Sequence, residues 1–288
     1  MNRFENITKP LRWLTALLLV AVVAGCGGGN GIPGTGPNAG PGPTGGACTT
    51  TGTIPCVILG TTATYVILAN TAITNTPTSV VTGDMGISPN KAVSITGFAL
   101  TTDATNDFST SAQVTGRIYA PDYTGGQLGS AGTTPAKMTA AQNDKVTAFN
   151  NAFTRPAATT ASNLNVGAGT VTGQNFTVTA TDKGIYTWGT GVNLTGDNTI
   201  TGTADDVFIF QIAGILNQTS GKKITLVGVL PQNVFWVVSG GTNIGTTAHF
   251  EGILLEKTAI TLGTGATVKG RLQAQSAVTL AGNTVTVP

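Results

Sequence analysis

One feature constrains this chain more than any other: a unit of about 20 residues recurs with the same internal layout, the mark of a repeat architecture. Near the C-terminus "TAITL" (258–262) returns as "SAVTL" (276–280). Each is followed by a glycine turn and then by "ATVKGR" (266–271) or "NTVTVP" (283–288). Upstream, each unit holds three short strand-like pieces between glycine or polar turns. The first pieces are "IYTWGTG" (185–191), "VFIFQIAG" (207–214), "VFWVVSG" (234–240), "ILLEK" (253–257) and "RLQAQ" (271–275). The second pieces are "VNLTG" (192–196), "ILNQTSG" (215–221), "TNIGTT" (242–247), "TAITLG" (258–263) and "SAVTLAG" (276–282). The third are "NTITG" (198–202), "KITLVG" (223–228), "AHFEG" (248–252), "ATVKG" (266–270) and "NTVTV" (283–287). Three strands per turn of this length predict a mainly β chain, a right-handed parallel β-helix (solenoid) of triangular section. One coil cannot bury its apolar side alone, whereas stacked coils bury a continuous column of Val, Ile, Leu and Phe. The longest interval, from 207 to 234, contains "VLPQN" (229–233), which reads as a surface excursion.

The N-terminal part of the domain fits the same template. "YVILAN" (65–70), "TAITNT" (71–76) and "TSVVTG" (78–83) make one coil, and "DMGIS" (84–88) begins another. Then the pattern changes. "TPAKMTAAQNDKVTAFNNAFTRP" (134–156) predicts a helix over about 135–155, with Thr134 as N-cap, Pro135 at the first helical position and Pro156 as the stop. Val146, Phe149 and Phe153 give it one apolar stripe, expected to pack along a face of the solenoid. Residues 97–130 read as an insertion or cap over an open coil end.

Residues 1–26 stand apart from this domain (57–288). Lys9 and Arg12 precede "LTALLLVAVVAG" (14–25), an apolar run too short to span a bilayer comfortably. It ends in Val23-Ala24-Gly25-Cys26, which resembles a bacterial lipobox. The resemblance implies a signal peptide over 1–26, lipid attachment at Cys26 and an exported, membrane-anchored protein; an ordinary secretory signal is the alternative. Residues 27–47 are Gly/Pro-rich and read as a tether, with the Cys loop completing a linker over 27–56. In that compartment Cys48 and Cys56 are expected to form a disulfide. A metal site is the weaker reading, because two thiols without a nearby histidine leave the shell incomplete.

Charge excludes several functions. The net charge is +2 and only 9% of residues are charged, so no basic field exists to hold nucleic acid. An enzyme on such a scaffold would need clustered carboxylates, or a base with a metal, in a cleft. Asp205 and Asp206 read as turn residues before "VFIF". His249, the only histidine, alternates with core positions, and Glu251 and Glu256 fall on different faces. "GTGATVKG" is no phosphate loop, since no helix follows it. No catalytic group, cofactor or metal is therefore expected, and a monomer is.

These features together are similar to the bacterial and fungal ice-binding (antifreeze) proteins, built on a discontinuous β-helix with one flanking helix. The resemblance runs over about 57–288, through "NTAITNTPTSVVTGDMGISP" (70–89), "TAAQNDKVTAFNNAFTRP" (139–156), "VTGQNF" (171–176), "GIYTW" (184–188), "DDVFIFQI" (205–212), "NVFWVV" (233–238) and "TAITLGTGATVKGR" (258–271). It implies adsorption to ice crystals through one β-helix face, in some members with a loose Thr-Ala/Gly-X-Thr/Asn motif. Thr71–Thr74, Thr172–Asn175, Thr195–Asn198 and Thr258–Thr261 meet that motif, and Ser276–Thr279 departs from it by a serine.

Strand alternation says which side chains would face ice. In "AITL" Ile260 and Leu262 point inward, so Ala259 and Thr261 point out. The same parity exposes Ala277 and Thr279, Asn193 and Thr195, Asn217 and Thr219, Asn243 and Gly245, and Ala72 and Thr74. The expected ice-binding set is Thr74, Asn193, Thr195, Asn217, Thr219, Asn243, Ala259, Thr261, Ala277 and Thr279. Spacings of about 4.7 Å between coils and about 6.6 Å along a strand lie close to repeats of the ice lattice. A non-enzymatic adhesin or glycan-binding β-helix is the other class. Exposed aromatic residues would favour it, yet Trp188 and Trp236 fall in apolar, core-like strands.

Overall fold

The computed structural model describes residues 54–76, 78–126 and 132–288. The "VAGC" segment with Cys26, the tether and Cys48 lie outside the described residues. The chain is mainly β with one long helix, and nearly all of its strand pairs are parallel. Second pieces form an eight-stranded sheet, here called the second face. Its order is Ile95–Thr96, Ala72–Asn75, Ala277–Leu280, Ile260–Leu262, Thr242–Ile244, Leu216–Gln218, Val192–Leu194 and Thr170–Val171.

Chain order and spatial order therefore differ. The N-terminal coil stacks on the C-terminal one: Ile67 is in register with Leu272, Thr74 with Thr279, and Val81 with Val285. The strands from Tyr65 onward begin at one end of the stack; the chain must then reach the far end and return coil by coil. The helix Thr134–Phe153 makes that passage. Its 20 residues extend about 30 Å, the depth of roughly six stacked strands. Met138 and Ala141, near its start, pack on Tyr65, Leu68 and Tyr119. Ala148, Phe149 and Ala152, near its end, pack on Ile185, Ile209, Phe235, Val237, Ile253 and Leu255.

Burial on both sides explains the first pieces. Tyr65–Ala69, Phe208–Ile212 and Val234–Val238 are buried at every position, between the helix and the interior. A parallel sheet covered on both faces needs such unbroken apolar runs. Inside, Tyr186, Trp188, Phe210 and Trp236 stack in sequence, with 4.0 Å between the Phe210 and Trp236 ring centroids.

Several expectations are corrected. Thr133 is the N-cap, and the buried Thr134 hydroxyl instead donates to the Asp107 carbonyl at 2.7 Å. Val146 is exposed; the buried stripe is Met138, Ala141, Lys145, Ala148, Phe149 and Ala152, with small residues where the helix approaches the sheet. In "VLPQN" Leu230 is exposed, but Val229 and Pro231 turn inward. Two third pieces do not end at a corner. They run on into the next first piece as the strands His249–Glu256 and Thr267–Ala274. Gly252 and Gly270 sit side by side at the bend, where a Cβ on Gly270 would lie 1.7 Å from the Gly252 carbonyl oxygen. Only glycine permits that approach.

Residues 97–126 contain the strands Thr101–Thr102, Ser109–Ser111 and Val114–Tyr119. The last pairs in parallel with Val80–Thr82 and Asp84–Ile87, at the N-terminal coil's end of the stack. Cys56 is disulfide-bonded.

Candidate functional site

The second face is built by simple alternation. Along each strand the inward residues, such as Ile260 and Leu262 or Val278 and Leu280, are buried in the common core. The intervening residues face outward, and registration aligns them into columns. The central column runs Thr96, Thr74, Thr279, Thr261, Asn243, Asn217, Asn193 and Thr170. Two residues earlier in each strand lies a column of Ala72, Ala277, Ala259, Gly241, Ile215 and Gly191. The bonds from Thr242 N–H to the Ala259 carbonyl, Leu216 N–H to Gly241 and Val192 N–H to Ile215 carry it. Two residues later lies a column of Gly263, Gly245, Thr219, Thr195 and Thr172, tied by similar bonds from Gly263 to Ile244, Gly245 to Gln218 and Thr219 to Leu194. Asp, Glu, Lys and Arg are absent from all three columns.

All ten residues expected from the sequence lie on these columns, in an arrangement that parity alone did not give. Asn193, Asn217 and Asn243 align with Thr261, Thr279 and Thr74, while Ala259 and Ala277 align with glycines and Ile215. Thr195 and Thr219 belong to the third column. In the central column Thr261, Thr279, Asn193 and Asn243 are exposed, and Thr74 and Asn217 half-buried. Two of the motif matches are out of register. Asn175 belongs to a strand paired through Thr199 with the third piece Asn198–Thr201, on what is here called the third face, the one formed by the third pieces. Asn198 is buried in the corner, where it donates to the Gly196 carbonyl at 2.8 Å and accepts from Gln174 N–H. The stretch in register is Thr190-Gly191-Val192-Asn193, which fits the same motif and would have been found by fixing the phase on "TAIT". Thr96, Thr170 and Ile215 were also missed. The first two sit in two-residue strands at the ends of the stack, too short for periodicity to mark.

Side-chain hydrogen bonds run along the columns. Thr74 and Thr279 hydroxyls are 3.2 Å apart, and those of Thr172 and Thr195 also pair. Asn243 Nδ2 donates to Asn217 Oδ1 and Asn217 Nδ2 to Asn193 Oδ1, each at 2.9 Å. Buried amides brace the corner beyond the third column. Asn283 Nδ2 bonds the Gly263 and Ala266 carbonyls, and Gln218 Nε2 those of Lys222 and His249. Each such amide ties a turn to the adjacent coil, so the outward columns sit on a fixed frame.

Ionisable groups in these coils lie elsewhere. Glu256 points into the interior, where its Oε2 accepts from the buried Thr242 hydroxyl. Burial raises its pKa to about 9, so the acid is neutral at pH 7. Lys145, on the helix, donates 2.5 Å bonds to Asn70 Oδ1 and the Ala274 carbonyl, and burial lowers it to about 7. His249 is half-buried on the third face, its Nδ1 2.8 Å from the Thr267 hydroxyl and its Nε2 3.2 Å from Glu251 Oε1. Asp206 accepts from the Thr203 N–H and hydroxyl, a turn role. Among the described residues no cluster of three His, Cys, Asp or Glu is placed to hold a metal ion.

Comparison with known proteins places this geometry. The Ice-binding-like family profile matches residues 67–286. The chain belongs to the ice-binding family. An ice-binding protein of Flammulina populicola is 43% identical over 235 residues, covering 81% of this chain and 88% of that protein. One from Flavobacterium frigoris (strain PS1) is 39% identical over 237 residues, covering 82% and 78%. Among solved structures, the ice-binding protein LeIBP from an Arctic yeast superposes with a TM-score of 0.73 at 38% identity, covering 81% of this chain and 94% of that one. The DUF3494 domain of a Shewanella frigidimarina ice-binding protein gives 0.70 at 30% identity, covering 79% and 95%. The family relation thus extends over bacterial and fungal members and across nearly all of the described domain.

Proposed function

We propose that this chain adsorbs to ice crystals through the second face and slows their growth and recrystallisation. The observation that carries the reading is the continuous, uncharged ladder of Thr, Ala, Asn and Gly, with one Ile, on eight registered strands in a member of the ice-binding family. The coils wrap as a right-handed helix of triangular section, which leaves this face free while the first is covered by the helix. Outward side chains spaced about 4.7 Å between strands and about 6.6 Å along them, with threonine methyls and hydroxyls in the central column, order water in an ice-like array. Each ordered water is nearly neutral in free energy, so adsorption depends on many contacts made at once on a rigid support. A charge would hold water in competing orientations, which accounts for the composition of the columns. The protein acts without a cofactor, as a monomer.

The N-terminus sets where it acts. Cleavage before Cys26, lipidation of that cysteine and the Gly/Pro-rich tether over 27–47 display the domain from a membrane, at the cell surface. Cys26→Ala is expected to leave the protein soluble or unprocessed; wild-type protein in the soluble exported fraction without acyl mass would exclude the anchor.

The test of the ice site is Thr261→Tyr. Thr261 is exposed and outside the core, so unfolding stability should move by no more than about 0.5–1 kcal/mol. Ice shaping, hysteresis and recrystallisation inhibition should fall much further. Thr286→Tyr, outward on the third face, is the control. Equal activity in wild type and Thr261→Tyr would place the site elsewhere. An inactive wild type would return the domain to the adhesin class.

A further inference from the structure

The second face is not uniform along the stack. On the three coils ending at Thr74, Thr279 and Thr261, the flanking outward residues are Ala72, Ala277 and Ala259. On the next coils the central residue becomes asparagine, and Ile215 stands in the flanking column between Gly241 and Gly191, with 49% of its surface exposed. We infer that ice contact is centred on the Thr/Ala coils, and that the asparagine ladder with Ile215 forms a step that bounds it. The inference rests on the second face being the ice site, and it divides that face.

Two physical differences separate the halves. The first is height. Alanine ends at Cβ and threonine at its γ atoms; asparagine reaches one bond further, and isoleucine does the same with its δ carbon. Ile215, 49% exposed in a column otherwise of alanine and glycine, is the larger obstacle to a plane laid on the Thr/Ala level, and Asn217 lies beside it. The second is hydrogen-bonding freedom. A threonine hydroxyl rotates to donate or accept as the adjacent water requires. Among the described residues the Thr261 hydroxyl bonds no other protein group, and Thr279, which accepts from the Thr74 hydroxyl at 3.2 Å, keeps its own O–H, so both can donate to and accept from water. Asn217 is committed on both sides: its Nδ2 donates to Asn193 Oδ1 and its Oδ1 accepts from Asn243 Nδ2. The amide planes are fixed along the stack, and the N–H and lone pair left to solvent point where the ladder sets them. Water there takes the orientation of the amides, where the threonines let it follow the lattice.

The experiment places one bulky residue on each half of the full-length protein: Thr279→Tyr and Asn217→Tyr, with melting curves alongside. If binding is concentrated in one cluster, as at other recognition surfaces, Thr279→Tyr should cut hysteresis and ice-affinity partitioning by at least about fivefold and Asn217→Tyr by less than about twofold. A double variant, Ile215→Ala/Asn217→Thr, lowers the step and should increase partitioning into ice; it keeps the test alive if a tyrosine variant fails to fold. Equal losses in the two tyrosine variants, a larger loss in Asn217→Tyr, or no gain in the double variant would overturn the division while leaving the face as the site. Full activity in both tyrosine variants would remove the face itself, and the division with it.

Discussion

Thr261 and Lys269 lie in one coil, on different faces. Around Thr261 the sheet is continuous over eight strands and carries no charge. Around Lys269 the third face presents Lys223, His249, Glu251 and Lys269 among its threonines, with Glu251 in register with Lys269. That face is also interrupted. Three of its strands, Asn175–Thr177, Asn198–Thr201 and Ile224–Val227, form a sheet of their own, and among the described residues the one β-bridge from it to the rest of the face is that of Lys223 to His249. The break coincides with the longest repeat interval, where residues 229–233 enter the coil. Both faces have the coil spacing and are rich in threonine, so neither property distinguishes them. Continuity and neutrality do, and they occur together only where the proposed site lies.

The strongest way to break the contrast is to carry a third-face feature onto the second. Ala277→Lys places a charge and a long side chain beside Thr279, with the core below unchanged. Hysteresis and partitioning into ice should fall to near background, while unfolding stability shifts by no more than about 0.5 kcal/mol. Lys269→Ala, removing the charge where it occurs naturally, should leave both unchanged. If Ala277→Lys retains half the wild-type activity, neutrality is incidental.

The sequence allows the second face to be read because alternation there is clean: Ile-Thr-Leu and Val-Thr-Leu leave one assignment of inside and outside. Phase between coils is harder. "VNLT" offers Asn193 and Thr195, and "TNIG" Asn243 and Gly245, at the same outward parity, and only pairing with Thr261 shows that Asn243 and Asn193 occupy the central column. The first face is legible as buried from its unbroken apolar runs, but the stacking of the first coil on the last is not. That contact joins residues about 205 apart, such as Thr74 and Thr279, and local pattern carries no information on it. Proline boundaries locate the helix, and Phe149 and Phe153 mark its buried side; Val146 alone misleads, because Met138, three alanines and the buried Lys145 complete the packing face. Nothing in the sequence marks Glu256 as an interior group, since a carboxylate rarely faces inward.

Those two buried groups sharpen the contrast, since Glu256, bonded to Thr242 at the edge of the second face, points into the interior and not onto that face. Glu256 titrates at about 9 in the fold against an ordinary 4.5. The folded state then holds the extra proton, and stability falls as pH rises from 4.5 to 9, by about 1.4 kcal/mol per unit. Lys145 titrates at about 7 against an ordinary 10.5. Here the unfolded state holds the extra proton, so stability rises from pH 7 to 10.5. Denaturant midpoints should therefore decline to about pH 7, stay level to about 9 and recover above it. Glu256→Gln should abolish the decline and leave a rise from pH 7. Lys145→Met should extend the decline to pH 9. A midpoint flat from pH 5 to 7 in the wild type would mean that Glu256 is ionised in the fold.

The smallest expected effect comes from the reverse exchange, making the third face neutral. Lys223→Thr/Glu251→Thr/Lys269→Thr removes three charges from outward positions and adds threonines at the coil spacing. Glu251 is opposed to Lys269 and lies 3.2 Å from His249 Nε2, so the variant loses contacts worth only about 0.2–1 kcal/mol each and the domain should stay folded. If composition were sufficient, this face would now bind ice, and blocking the second face with Thr261→Tyr would leave activity behind. The bridge of Lys223 to His249 argues otherwise. Strands on its two sides share no ladder, so waters ordered on one side are not held in register with those on the other. The triple variant carrying Thr261→Tyr should be as inactive as Thr261→Tyr alone, read by hysteresis and by partitioning into ice. Activity regained in that background would show that a neutral threonine surface suffices without an unbroken sheet beneath it.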